Sequence, residues 1–401
     1  MTNEDLEDQI LPLMSEYKEI ETCVECSAMT LINVAEAFYF AQKAVLHPTG
    51  PLYDSREHVM KEACVKALQR MFRLSDKNRD GYLDDEEINA FQVKCFKTPL
   101  QKEELESIKD ILKESEPSTV TPQGITMEGF IFLHKLFIQR GRLETTWSAL
   151  RAFGYDDNIE LKPEILKPAA ATKIPKDAIV TIGPKGYQFF TELFKSFDLD
   201  CDGCLSWEQL DFLFATSPEN PWLPLGFPEN TLTDERGAIT LEGFLAQWSM
   251  TTLLNWKVTL EYLGWLGFDD KTGMDALKIV PSGKKGRLQR DTFLCWVLGA
   301  VGSGKTAICR NFIRRPFDAS YRPTLTPYHV VNGQVDEQKG EKYLVLQEIS
   351  CHGGLDQEIL ADKALIAMAD VICYVYDASD PNSFSHIVKL RVHFHDIYIS
   401  G

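Results

Sequence analysis

The sequence predicts a multidomain protein in which two tandem, all-α helix–loop–helix units precede an α/β domain. Three observations predict it. A twelve-residue acidic loop sits between helical patterns at Asp76–Glu87, and a second loop of the same design begins at Asp198. A glycine-rich loop, Gly299–Thr306, joins a strand-like run to a helix-like one.

Bulk properties set the frame. The 401 residues allow about two to four domains. With 44% hydrophobic and 25% charged residues, the composition is that of a soluble globular protein. A formal net charge of −17 disfavours nonspecific binding to nucleic acid or anionic lipid and suits divalent cations. No window approaches the ~18 unbroken apolar residues of a membrane span. The acidic start, Met1–Ile10, lacks the apolar core of a signal peptide. The ten cysteines are scattered, as in a reducing cytosol. Two pairs with CxxC spacing, Cys23/Cys26 and Cys201/Cys204, lack the context of a zinc or redox site.

In chain order, residues 30–46 read as an amphipathic helix with Val34, Phe38, Ala41 and Val45 on one face, stopped by Pro48, Gly50 and Pro51. A second helix runs from about Glu57 into Asp76. The first loop offers oxygens from Asp76, Asn78, Asp80, the Tyr82 carbonyl, Asp84 and Glu87, with Gly81 at position 6. That is the ligand spacing of an EF-hand, and it suits Ca²⁺, a hard cation that takes six to eight oxygens. Leu83 falls at position 8, where an apolar side chain joins paired loops.

The second loop offers Asp198, Asp200, Asp202, the Cys204 carbonyl, Ser206 and Gln209, with Gly203 at position 6. Gln209 brings one neutral oxygen where Glu87 brings two anionic ones. The sequence therefore predicts one tight site and one weaker site, with an empty structural loop as the bland alternative for the second.

An internal repeat frames both loops. Ile125-Thr126-Met127-Glu128-Gly129-Phe130 and Phe153-Gly154-Tyr155-Asp156-Asp157 recur about 115 residues later as Ile239-Thr240-Leu241-Glu242-Gly243-Phe244 and Leu266-Gly267-Phe268-Asp269-Asp270. Each unit reads as one metal loop plus one ligand-free partner. Lys167–Gly186, with three prolines and two glycines, and Pro281–Arg290 read as linkers.

Gly299-Ala300-Val301-Gly302-Ser303-Gly304-Lys305-Thr306 matches G-x-x-x-x-G-K-[ST]. It follows the strand-like Thr292–Leu298 and opens the helix-like Ala307–Arg314. Gly299, Gly302, Ser303, Gly304, Lys305, Thr306 and Ala307 are the candidate phosphate-binding residues. Backbone amides at the helix start would cradle phosphate, Lys305 would reach the β- and γ-phosphates, and the Thr306 hydroxyl would hold Mg²⁺.

Downstream, Tyr321-Arg322-Pro323-Thr324 resembles switch I of Ras-like small GTPases. The resemblance implies that Thr324 closes on Mg²⁺ and the γ-phosphate. Strands at Tyr343–Leu346 and Val371–Tyr376 lead to Asp377–Phe384. A GTPase-like domain after two EF-hand units resembles the mitochondrial Rho GTPases, the Miro family, with Ala44–Leu52 and Phe137–Trp147 reading closest to plant members. Glu25-Cys26-Ser27-Ala28 looks like the guanine-contacting loop of a first GTPase domain.

The resemblance implies five regions. Residues 1–47 would be the last strand and helix of that first domain. Residues 57–166 and 187–280 would each be an EF-hand with a ligand-free partner EF-hand, joined by the linker 167–186. Residues 291–401 would be an incomplete second GTPase domain. The expected fold class is multidomain: all-α EF-hand pairs in two tandem units, then a partial α/β P-loop GTPase domain. The family also implies Ca²⁺, GTP and Mg²⁺ as cofactors, and protein partners in mitochondrial transport, distribution and morphology. Its address is the cytosolic face of the mitochondrial outer membrane.

Departures from the family shape the functional expectation. After Ser383 there is no Asn-Lys-x-Asp to select guanine and no second Ser-Ala loop. Without an apolar C-terminal helix, and with His393, His395 and Asp396 near the end, the chain alone is expected in the cytosol. Where Ras-like proteins carry Asp-x-x-Gly-Gln, this chain has Gln347-Glu348-Ile349-Ser350-Cys351-His352-Gly353. Glu348 would replace the aspartate at Mg²⁺ through water, and no glutamine orients the attacking water; His352 is a weak substitute. No catalytic residue is assigned, and slow hydrolysis with poor guanine selectivity is expected. The rival reading is a calcium-binding scaffold whose remnant P-loop domain is non-functional. The missing guanine motif favours that rival; the intact P-loop and Thr324 favour a nucleotide-binding GTPase.

Overall fold

The computed structural model describes residues 10–398 except 11, 15, 18–19, 21–22, 55–56, 169–170, 172, 176–177, 269–272, 282–288, 321–322, 325–326, 337–339, 362–365 and 367. Asp269, Asp270, Tyr321, Arg322 and most of the segment 281–290 therefore lie outside the described residues. The chain forms two compact units, Met1–Lys162 and Pro163–Gly401.

In the first unit, α1 (Val34–Leu46) forms where the periodicity predicts it. Its apolar face is not buried: Phe38 is 67% and Val45 78% exposed. The strand expected ahead of it is reduced to a single bridge, Ser27 with Ile32, among the described residues. A strand needs a neighbour to satisfy its ladder, and one bridge does not supply it. The far end of α1 is tied down. Lys43 donates to the Gly141 carbonyl, and the Trp147 indole donates to the Pro48 carbonyl at 2.9 Å.

Next come α2 (Glu62–Ser75), β1 (Tyr82–Leu83), α3 (Asp85–Phe96), α4 (Lys102–Ser115), β2 (Ile125–Thr126), α5 (Met127–Gln139) and α6 (Leu143–Ala152). The second helix starts at Glu62, not near Glu57, because Val59–Met60 pairs as a strand with Tyr53–Asp54. β1 and β2 pair antiparallel with Leu83 opposite Ile125, so the position-8 side chain does join the two loops. Phe72, Phe130, Trp147 and Leu150 fill the space beneath. The glycine of the repeated Glu-Gly-Phe motif has a steric cause. A Cβ on Gly129 would sit 2.4 Å from the Thr119 carbonyl oxygen, and one on Gly243 would sit 2.2 Å from that of Leu232. The partner loop lies directly against the helix start in both repeats.

The second unit opens with β3 (Ile179–Ile182), α7 (Pro184–Phe197), β4 (Cys204–Leu205), α8 (Trp207–Phe214), β5 (Ile239–Thr240), α9 (Leu241–Trp265, broken at Asn255) and β6 (Leu277–Val280). Part of the expected linker 167–186 is ordered fold. β3 pairs antiparallel with β6, and Pro184 stands in the first turn of α7, where its missing N–H costs nothing. The partner half of this pair also differs from expectation. Between α8 and β5 no α-helix forms, only a 3₁₀ turn at Leu223–Leu225. Pro218, Pro221, Pro224 and Pro228 fix φ and remove donors there. A buried Trp222 anchors the segment instead, with its ring 5.2 Å from those of Phe214 and Trp248.

The α/β half comprises β7 (Thr292–Gly299), α10 (Lys305–Phe312), β8 (Tyr328–Asp336), β9 (Gly340–Glu348), α11 (Leu355–Ala361), β10 (Val371–Val375) and α12 (Pro381–Tyr398). The sheet order is β8-β9-β7-β10, with β8 antiparallel and the other three mutually parallel. Gly299 and Glu348 therefore lie at the C-terminal ends of adjacent parallel strands, with Glu348 opposite Val297, where open α/β sheets bind ligands.

Residues 187–280 and 291–401 share one core. Tyr187 of α7 stacks on Tyr343 of β9, with centroids 5.7 Å apart. Arg315 donates to the Pro228 carbonyl at 2.9 Å, and the Tyr328 hydroxyl to that of Glu229 at 3.1 Å. Arg290, at the end of the second expected linker, is buried in an ion pair with Asp370. Among the described residues no helix is long and apolar enough to cross a membrane. All ten cysteines are free.

Candidate functional site

The first acidic loop is built around the start of α3. Asp84 accepts from the Glu87 amide at 2.8 Å, and Glu87 Oε2 accepts from the Asp84 amide at 3.2 Å, a reciprocal cap. Glu87 Oε1 accepts from the Lys77 and Asn78 amides at 2.6 and 3.3 Å. Asn78 and Asp80 accept from the Asp80 and Tyr82 amides at 3.1 and 2.9 Å. Asp76 Oδ2 accepts from the Gly81 amide at 3.1 Å. Asp76 Oδ1 is buried with no hydrogen-bond partner among the described residues, and burial holds this carboxyl above the usual carboxylate range. A buried, unsatisfied anionic oxygen in an all-oxygen set fits a hard divalent cation.

In the second loop, the carboxylates of Asp198, Asp200 and Asp202 bring one oxygen each within 4.8 Å of one another. Among the described residues no three carboxylates of the first loop gather that closely, since Glu87 is engaged by loop amides. Asp198 accepts from the Asp202 and Gly203 amides at 3.1 and 3.0 Å, and Asp202 from the Cys204 amide at 2.9 Å. Ser206 caps α8. Gln209 Oε1 accepts from the Ser206 amide at 2.8 Å, and its Nε2 donates to Asp200 at 3.3 Å. This loop too has the donor chemistry for Ca²⁺, one carboxylate short. Gln209→Glu replaces a neutral amide, with one oxygen and one donor nitrogen, by a carboxylate with two anionic oxygens at the last ligand position. Calorimetry is expected to show about tenfold tighter calcium binding at this loop; an unchanged constant would contradict the ligand count.

Sequence reasoning missed Arg236. From the loop before β5 it donates Nη2 to Asp202 Oδ2 at 2.5 Å and Nε to Asp234 Oδ2 at 2.8 Å. The Arg236 hydrogen bond holds Asp202 below the usual carboxylate range. The available signal was the pairing of the two loops, which the repeat implied.

The phosphate loop follows β7 closely. A Cβ on Gly299 would meet the Val375 carbonyl oxygen at 2.2 Å, and Gly304 has φ +93° at the N-cap of α10, a region that favours glycine. Gly302 has φ +75°, and the Ser303 hydroxyl is buried without a partner among the described residues. Ala307 lies in the first turn of α10. Lys305 is buried, with Nζ donating to the Gly299 and Ala300 carbonyls, both at 2.9 Å. The Thr306 hydroxyl donates to Glu348 Oε1 at 2.9 Å and lies 3.3 Å from the Thr324 hydroxyl. Glu348 is 2% exposed, and its Oε2 has no partner among the described residues. Two hydroxyls and a buried carboxylate thus converge beside the loop, and they fit Mg²⁺ and a phosphate chain.

These groups border a cavity of about 1090 Å³. Its far wall includes Pro224, Leu225, Gly226 and Glu229 of the proline-rich segment, with Ser350 and His352 also lining it. The 224–229 wall was invisible in the sequence, because it depends on a contact across about 75 positions of chain.

Comparison with known proteins bears on both halves. Family models described as "EF hand associated" match residues 98–186 and 222–291. A curated protein from Cryptococcus neoformans, named Mitochondrial Rho GTPase 1, is 46% identical over 98% of this chain and 63% of its own length. Proteins of the same name from Mycosarcoma maydis and Neurospora crassa are 46% and 45% identical, over 98% and 96% of this chain and 61% and 62% of their own lengths. The chain spans about three fifths of the length of these relatives. All three are fungal, so the plant-like reading of Ala44–Leu52 and Phe137–Trp147 gains nothing from them.

Proposed function

Because the chain belongs to the mitochondrial Rho GTPase family, we propose that it binds calcium through the loops 76–87 and 198–209 and a guanine nucleotide with Mg²⁺ at the phosphate loop. The observation that carries the nucleotide reading is the convergence of Thr306, Thr324 and Glu348. Glu348 takes the place that an aspartate holds in Ras-like proteins. Its longer side chain spans to the Thr306 hydroxyl, and its second oxygen is left free inside the protein. Magnesium, when bound, neutralises phosphate charge. The chain's own part is to orient the phosphates on the amides of residues 302–307, to aim the Lys305 ammonium at them, and to close Thr324 over them.

The names of the relatives support a role at mitochondria, and we read transport, distribution and morphology of the organelle as the process served. Calcium would report cytosolic signals to a partner protein, and the nucleotide state would set which partner is engaged. Slow hydrolysis remains our reading, since Gln347–Gly353 presents no glutamine to position water.

The test is calorimetry of the purified chain with GTP and ATP in Mg²⁺. The phosphate loop reads what both nucleotides share, so their affinities are expected to agree within about tenfold. GTP preferred by ~100-fold, about 2.7 kcal/mol, would overturn poor base selectivity. Binding of neither would favour the calcium scaffold with a non-functional phosphate loop.

A further inference from the structure

We propose that Arg236 is a tethered cation that occupies part of the charge of the second acidic loop and thereby sets how tightly that loop takes calcium. This rests on the reading of residues 198–209 as a calcium loop.

The placement of Arg236 is built by the backbone. Asp234 Oδ1 accepts from the amides of Arg236 and Ala238 at 2.9 and 2.8 Å, which folds the chain into a tight turn through Gly237, φ +86°. The turn leads straight into β5, whose Thr240 and Ile239 pair with Cys204 and Leu205 of the acidic loop. That pairing holds the turn alongside the loop. The guanidinium then bridges Asp202 and Asp234, using separate nitrogens for each. Its side chain is 67% exposed, so it acts through charge and hydrogen bonding, not as packing.

Two of the three gathered carboxylates therefore have a side-chain donor, whereas Asp198 accepts only from backbone amides among the described residues. Asp202 has Arg236, and Asp200 has the Gln209 amide. Calcium coordination requires an oxygen from each of these same carboxylates at 2.3–2.6 Å. An entering dication meets a fixed positive charge about one carboxylate away, and either the Asp202 pair loosens or the ion is held against that charge. In the first unit the cation near Asp76 and Glu87 is Arg79, supplied from within the loop itself and not from the partner half. The partner turn of that unit, Thr121-Pro122-Gln123-Gly124, carries no charged side chain. The two repeats thus differ in the twelfth ligand and also in a cation contributed by the partner half, and the second difference pushes in the same direction.

The experiment is calcium calorimetry of the full chain carrying Glu87→Lys, which silences the first loop, with Arg236 intact, Arg236→Gln or Arg236→Lys. Arg236→Gln is expected to tighten calcium about tenfold, with the difference shrinking in 1 M salt as charge is screened. Arg236→Lys, which keeps the charge, is expected to stay within about twofold of the parent and guards against an effect of turn geometry alone. Equal, measurable affinities for the parent and the Arg236→Gln chain would overturn the role of Arg236 and leave the calcium reading standing. No binding in any of the three would overturn both.

Discussion

Glu87→Lys is expected to erase calcium binding at the first loop, weakening it by at least a hundredfold, about 2.7 kcal/mol. Glu87 is the only residue of the loop placed to give two anionic oxygens, and both now accept from backbone amides at the mouth of the loop. Lysine would deliver a cation among Asp76, Asp80 and Asp84. It would also remove the Glu87 half of the reciprocal cap, leaving the Asp84 side chain with the residue-87 amide. Calorimetry should therefore lose the tighter of two events and keep the weaker, with a small drop in unfolding midpoint. A tight event that survives the substitution would place calcium elsewhere in the chain.

Lys305→Ala carries the second large effect. Buried Nζ donates to two carbonyls of the phosphate loop at 2.9 Å, so the side chain both braces the loop and faces the cavity. Alanine would remove the ammonium donor from both carbonyls, leaving Ala300 with the Ser303 amide at 3.3 Å, and each group left unsatisfied costs roughly 1–3 kcal/mol. It would also remove the positive charge aimed at the β- and γ-phosphates. Nucleotide affinity is expected to fall at least a hundredfold, and the second unit to melt earlier. Equilibrium dialysis with GTP and thermal unfolding separate the two losses. Undiminished affinity in a folded Lys305→Ala chain would show that the loop does not read phosphate.

What was legible in the sequence was local. The acidic loops and the glycine-rich loop each occupy a dozen residues or fewer, and their chemistry is written in consecutive spacing. What was not legible depended on distant neighbours. The stripe of α1 at Phe38 and Val45 has helical period, yet period alone does not say that anything covers it. β8 was missed because Tyr328–Asp336 mixes apolar residues with Asn332, Gly333 and Gln334. Gly333 has a packing reason, since a Cβ there would press on the Tyr343 ring at 3.1 Å. The missing helix between α8 and β5 could have been read from four prolines, but the repeat argued for symmetry and prevailed. Arg236 lies 34 positions from the aspartate it holds.

The stacked pair Tyr187 and Tyr343 has a consequence for how such a chain can change over generations. One ring comes from a helix before the acidic loop and the other from the central sheet beyond the phosphate loop. Both are largely enclosed, so a substitution on one side is felt at once on the other. The two regions thus meet in a matched contact, and a recombinant joined near Pro281 is expected to keep it only if both rings come from one parent. A graft that joined foreign halves there would set mismatched rings face to face and open the shared interior to water. Variation that survives at these two positions is expected to be paired.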